Sequence, residues 1–205
     1  MSQFLEPIDG ETPIDPSGLL DRTIKTRSQL NQVEAENIRR ATVKYLAAQP
    51  SARSAPFTYP WAVQVHRELF GDVWTWAGQI RTENLNLGVP WQNVISQLEG
   101  LFLDIGLLQS KDELLLEQAV TIHHRAVAIH PFHGGNGRWS RFLANVWLKR
   151  HGKQVIEWPE AEVGRNASSI RSEYIAAIKS ADRHDFGPLM QLHERYWKAT
   201  NTESG

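Results

Sequence analysis

Apolar and polar positions along this chain follow two periods, and the places where the period changes mark its parts. From Thr26 onward, Leu30, Val33, Ile38, Ala41 and Tyr45 recur near the spacing of one helix face. Thr26 or Ser28 suits the N-cap, so a helix is predicted to about Gln49. Residues 1–25, rich in Pro, Gly, Asp and Thr, read as an irregular arm. Pro50 to Pro60 reads as a linker, and Trp61 to Leu69 as a helix that Gly71 ends. From Gln79 to Pro90 the helical period is lost. Leu85, Leu87 and Val89 alternate there with Asn86 and Gly88, the period of a short β-hairpin. Helical spacing returns over about 91–108, 111–129, 137–151, 166–181 and 186–198, and residues 201–205 form a tail. The pattern predicts a mainly α chain with one hairpin. Trp61, Trp74, Trp76 and Trp147 sit in apolar contexts and are expected in its core.

Composition narrows the function classes. A chain of 205 residues can bury a substantial core as one domain. Its 22 Lys and Arg against 23 Asp and Glu leave a formal charge of −1, which argues against sequence-independent nucleic-acid binding. With no cysteine there is neither a disulfide nor a thiolate zinc site. The opening Met1–Pro7 lacks the basic and apolar regions of a signal peptide, and no run approaches the ~18 apolar residues of a membrane span. A cytoplasmic protein that does not enter the membrane is the expectation.

Most of the chemistry lies between His130 and Arg141, in His-Pro-Phe-His-Gly-Gly-Asn-Gly-Arg-Trp-Ser-Arg. Apolar helical runs lead into and out of this short loop. Successive N–H groups of a Gly-rich turn that opens a helix converge on an anion, and the helix dipole adds to the attraction. Arg138 and Arg141, three apart, share a face at that helix end, and guanidinium forks suit phosphate. His130 is the candidate general base beside them. Four histidines (His123, His124, His130 and His133) invite a metal-enzyme reading. There is no His-Glu-x-x-His, however, and adjacent His123 and His124 point in different directions, so no metal site is assigned.

This segment resembles the Fic (Fido) signature His-x-Phe-x-(Asp/Glu)-Gly-Asn-Gly-Arg-x-x-Arg, matched by His130, Phe132, Gly135, Asn136, Gly137, Arg138 and Arg141. Phe70 to Gly78 with Arg81-Thr82 resembles the segment before the family's flap, and Ser180 to Leu189 its closing helix–turn–helix. The size and opening of the chain also resemble the mobile mystery protein B subgroup found on mobile elements. The resemblance implies a Fic domain over 26–200, with AMP transfer from ATP to a protein hydroxyl. In that scheme His130 takes the hydroxyl proton, Gly135, Asn136 and Gly137 bind phosphates, Arg138 holds the β- and Arg141 the γ-phosphate. Phe132 anchors the loop, and Trp139 is a candidate to border the nucleotide. The family's flap binds the target peptide by strand addition, which makes Asn84, Leu85, Asn86, Leu87 and Gly88 the candidate target contacts.

One position departs from the pattern. Gly134 stands where the family has an acidic residue that holds Mg²⁺, a cation that wants oxygen ligands. His133 offers only an imidazole, which suits other metals better. ATP is thus the expected substrate and Mg²⁺ is doubtful. Three readings stay open: a weakened transferase, a different phosphoryl or nucleotidyl reaction, and an inactive nucleotide- or protein-binding module. Many Fic proteins also carry an inhibitory helix with the pattern (Ser/Thr)-x-x-x-Glu-(Gly/Asn). Within 26–49, Glu34 and Glu36-Asn37 match it incompletely, because Leu30 and Gln32 occupy the Ser/Thr places. Glu34 and Glu36 are the candidate inhibitory residues, with Arg141 as the expected partner. A target protein, a homodimer and an antitoxin partner are the candidate partners.

Overall fold

The computed structural model describes residues 15–109, 111–164 and 168–202, so most of the expected arm and the last three tail residues lie outside the described residues. Eight helices follow in chain order: α1 (Arg27–Leu46), α2 (Tyr59–Phe70), α3 (Val94–Leu107), α4 (Leu115–Ile129), α5 (Asn136–Arg150), α6 (Glu160–Val163), α7 (Ser169–Ala181) and α8 (Gly187–Thr202). α4 and α5 form the central pair; α1 packs on α2, and α7 on α8. None of the described helices is long and apolar enough to cross a membrane.

Local chemistry sets the ends. Thr26 caps α1 through a reciprocal box with Gln29: the Thr26 hydroxyl accepts from the Gln29 N–H at 3.2 Å, and Gln29 accepts from the Thr26 N–H at 3.1 Å. The helix stops at Leu46, three residues short of the expected end. α2 opens at Tyr59 with Pro60 in its first turn, where a missing N–H costs nothing. The turn α6, between Pro159 and Gly164, has no counterpart in the periodicity.

The inward face of α1 differs from the one read off hydropathy. Leu30, Ala41 and Tyr45 are buried, but Val33 is 40% exposed, and Glu34 and Asn37 complete the inward stripe. Burial here follows a charge pair across the fold rather than apolar spacing.

The expected hairpin is absent. No strand occurs among the described residues; the single bridge joins Leu19 to Trp74. Residues 79–90 fold as irregular chain around the Arg81 side chain. Arg81 donates from Nε to the His130 carbonyl at 2.7 Å, from Nη1 to that of Glu83 at 2.8 Å, and from Nη2 to Val89 and, at 3.4 Å, to Ile129. The Arg81 N–H adds a bond to the Pro131 carbonyl at 3.0 Å. A buried guanidinium that collects carbonyls from both sides replaces the cross-strand ladder. Asn84, at the tip, accepts from the Trp91 N–H at 2.9 Å.

Candidate functional site

Helix α4 ends at His130, whose left-handed backbone (φ 53°) turns the chain sharply into the loop. The loop closes at Gly135, also left-handed (φ 74°) and the N-cap of α5. Only glycine fits at 135, because a Cβ would meet the Phe70 ring at 2.5 Å. Asn136 clasps the loop from inside: its Oδ1 accepts from the Phe132 N–H at 3.0 Å and its Nδ2 donates to the Phe132 carbonyl at 2.8 Å. Phe132, fully buried, stacks on His66 with centroids 3.5 Å apart. Trp139 faces the core, fully buried with Nε1 donating to the Ala62 carbonyl at 2.9 Å, which corrects the expectation that it borders a nucleotide. Its position just after Arg138 decided nothing, since neighbouring helix residues point about a third of a turn apart.

Gly135 offers α5 no side-chain cap, so the backbone N–H groups of its first turn face outward, with the positive dipole end of a fifteen-residue helix behind them. This end opens into a cleft of about 1820 Å³, which Leu85, Leu87, Gly88 and residues of α7 help to line. Gly88 (φ 94°) lies against His130, where a Cβ would come within 2.5 Å of the histidine's own. Burial lowers the His130 pKa to about 4, only partly offset by its hydrogen bond to the Val127 carbonyl. An imidazole that donates one N–H to a carbonyl keeps its basic lone pair on the other nitrogen, as a general base requires.

The two arginines diverge to opposite walls. Arg138 meets Glu34 of α1, with Nη1 at 2.7 Å and Nη2 at 3.2 Å, and lies 4.7 Å over the Phe70 ring. Trp74 Nε1 donates to the same carboxylate at 2.7 Å. Arg141, buried, pairs with Glu160 at the start of α6, its Nε donating at 2.8 Å. It also lies 5.2 Å over the Tyr174 ring, and Glu160 raises its pKa against the opposing effect of burial. Two expectations are corrected. Glu34 pairs with Arg138 and not with Arg141, because α1 runs along the Arg138 side of α5. Glu36 points to solvent and pairs with Arg39 one turn on.

Gly134 presents no carboxylate, and its carbonyl faces inward, accepting from His66 Nε2 at 3.0 Å. His66 in turn accepts the Gly78 N–H on Nδ1 at 3.0 Å, and burial lowers its pKa to about 3, so it is neutral. A Cβ at 134 would meet the Trp76 ring at 3.0 Å. Trp76, stacked on Trp74 at 4.9 Å, would therefore have to shift by a few tenths of an ångström to admit an acidic side chain. Among the described residues no three His, Asp or Glu side chains gather as a metal site, and Gly134 offers Mg²⁺ only a backbone carbonyl that His66 already engages. His133 lies 3.9 Å from Glu83, and His124 bonds Asp182 at 2.8 Å.

Sequence reasoning missed Glu160, Arg81, His66, Tyr174 and Trp76 as parts of this site. Only Glu160 carried a signal, an acid after Pro159 where a helix can start.

Residues 56–148 match the model of the Fic/DOC family. Over 146 residues, 67% of this chain, the sequence is 27% identical to protein adenylyltransferase fic-1 of Caenorhabditis elegans, covering 27% of that protein. Over 74 residues, 36% of this chain and 14% of the relative, it is 36% identical to protein adenylyltransferase Fic of Drosophila grimshawi. The chain thus spans less than a third of the length of these relatives. Among solved structures, Fic-1 from C. elegans superposes with a TM-score of 0.69 at 22% identity, over 91% of this chain and 54% of that one. BepC of Bartonella tribocorum with bound AMPPNP gives 0.64 at 16% identity, over 95% and 96%. At such identities the structural likeness speaks for the fold.

Proposed function

We propose, from the Fic/DOC domain matched over residues 56–148, a nucleotide cradle that transfers AMP from ATP to a protein hydroxyl and is occupied in its resting state by two of the chain's own carboxylates. The observation that carries the reading is the pair of ion pairs, Arg138 with Glu34 and Arg141 with Glu160. Carboxylates on both arginines occupy the positions that phosphate oxygens would take. The relatives named as adenylyltransferases, and the neighbour solved with AMPPNP, support ATP as the substrate.

In the transfer step His130 takes the proton of the target hydroxyl while its oxygen bonds to the α-phosphorus. The bond from that phosphorus to the bridging oxygen breaks, and pyrophosphate leaves. The N–H groups at Gly135, Asn136 and Gly137 orient the phosphates, Arg138 and Arg141 balance the charge of the leaving pyrophosphate, and the cleft positions the reactants. Asn84 to Gly88, of which Leu85, Leu87 and Gly88 line the cleft, are the proposed target contacts. No step is assigned to Mg²⁺, because Gly134 and its surroundings do not provide for it. The mobile mystery protein B subgroup and a cytoplasmic setting belong to the same proposal, on sequence resemblance and composition.

A second reading has a specific observation behind it. Gly134 supplies no carboxylate and its carbonyl is engaged by His66, which favours a binding module without transfer, acting as a regulatory or antitoxin partner. Incubation with α-labelled ATP separates the two. The transferase reading expects protein labelling by Glu34→Gly with Glu160→Ala, and loss of label when His130→Ala is added. Nucleotide binding without label in any variant would establish the binding module.

A further inference from the structure

Behind Arg141, on the side facing α8, lies a row of buried polar side chains that the transfer step does not use. His123 and His193 are fully buried and Tyr174 nearly so. Their hydrogen bonds admit only one direction. His193 Nδ1 lies 2.8 Å from the Leu189 carbonyl oxygen, which can only accept, so Nδ1 carries the hydrogen. Burial keeps the ring neutral, with its pKa lowered to about 4, so His193 Nε2 is an acceptor. His123 Nδ1 stands 3.1 Å from that atom and must donate. Burial also lowers the His123 pKa well below its ordinary value, leaving its Nε2 as an acceptor 2.9 Å from the Tyr174 hydroxyl. Tyr174 therefore spends its one hydrogen on His123. Its oxygen can act only as an acceptor toward Arg141, with which it hydrogen-bonds.

We infer that Tyr174 is a positioning residue for Arg141, ordered by the row His193–His123–Tyr174, and that this row aims the guanidinium at the terminal phosphate of a nucleoside triphosphate. The inference rests on the phosphate-cradle reading. A phenol with an uncommitted hydrogen would compete with Arg141 by donating to phosphate or to Glu160. Here that alternative is closed three residues back, at the Leu189 carbonyl. One Arg141 donor is tied to the phenol, while Nε and the terminal Nη2 of its planar fork hold Glu160 at the edge of the cleft, where a terminal phosphate would replace the carboxylate. The consequence is selectivity: a triphosphate gains from the aligned fork, whereas a monophosphate does not reach it.

The test uses the Glu160→Ala protein, so that no carboxylate competes for Arg141, with ATP and AMP titrated by calorimetry. Removing one hydrogen bond that orients a charged group should weaken ATP binding about tenfold in Tyr174→Phe while AMP binding stays within about twofold. His193→Leu should shift the ratio the same way, and His193→Gln, which can offer an amide oxygen to His123, should restore it. Thermal midpoints confirm that each variant is folded. An ATP-to-AMP ratio equal to that of the parent, or an equal fall for both nucleotides, would overturn the positioning role. A Glu160→Ala parent that does not favour ATP over AMP would instead overturn the cradle reading beneath it.

Discussion

Glu34 and Arg138, 104 positions apart, meet through two contacts of 2.7 and 3.2 Å. Glu34 is almost fully buried, and Trp74 gives it a third donor. This pair joins α1 to the phosphate-binding end of α5, and so links stability to nucleotide binding. Glu34→Gln should raise ATP affinity about tenfold by releasing the guanidinium. It should also lower stability by about 1–3 kcal/mol, since Arg138 is partly exposed and solvent screens part of the loss. Calorimetry and urea denaturation on one preparation read both.

Glu36→Ala is the matched control. Glu36 lies on the solvent side of α1 and pairs with Arg39. ATP affinity in this variant should stay within about twofold of wild type, because a screened surface charge this far round the helix contributes little. An affinity gain equal to that of the Glu34 variant would remove the case for Glu34 as the specific occupant.

These two residues also show how far the sequence could be read. Hydropathy placed α1, its cap and most of its inward positions, because Leu30, Ala41 and Tyr45 obey the helical period. It put Val33 inward wrongly and was blind to Glu34, since a carboxylate on the buried stripe scores as polar whatever lies opposite. The motif loop was legible because its glycines and arginines are dictated locally: Gly135 must be left-handed, and α5 begins after it. Of the arginines' partners, Glu34 was named from the family's inhibitory pattern but set against Arg141, and Glu160 was not named, because both reach their arginines through tertiary packing. Alternation at Leu85, Leu87 and Val89 suggested a hairpin. One buried arginine, Arg81, takes the carbonyls that a hairpin would pair.

Arg81 gives a direct prediction about that segment. Arg81→Met should destabilise the fold by about 2–4 kcal/mol, because it removes the donor from the buried His130 carbonyl and from the partly covered Glu83 and Val89 carbonyls, and leaves that of Ile129 with the Val89 N–H alone. Urea denaturation measures the loss. Proteolysis should then cut within 79–90 before the helical core opens, and cleavage elsewhere first would contradict the role given to Arg81.

The pH dependence follows from four buried histidines. The pKa of His66 is lowered to about 3, those of His130 and His193 to about 4, and that of His123 well below its ordinary value, in each case chiefly by burial. The unfolded chain binds these protons near pH 6.5 while the native state resists them, so the unfolded state holds more protons below that pH. Stability should be complete above about pH 6.5 and fall as pH drops toward 4, with a slope of up to about 1.4 kcal/mol per pH unit for each histidine. Urea midpoints across this window measure it. The rate of label transfer should show no titration near pH 6.5, because His130 is already in its basic form there.

Gly134→Asp tests the missing acid. The new Cβ requires Trp76, which is only partly buried, to move by a few tenths of an ångström. The cost should be about 1 kcal/mol, at the low end for overpacking. ATP affinity should then become dependent on Mg²⁺, whereas in wild type the ion should change it by no more than about twofold. Titrations with Mg²⁺ or with chelator distinguish the two.

The most direct measurement is calorimetric ATP binding by wild type beside the double variant Glu34→Gly and Glu160→Ala, with thermal midpoints as a check on folding. If the cradle is held shut by its own carboxylates, the double variant binds ATP at least about tenfold more tightly, and each single variant falls between. Equal affinity in the folded double variant and the wild type would contradict a self-occupied cradle.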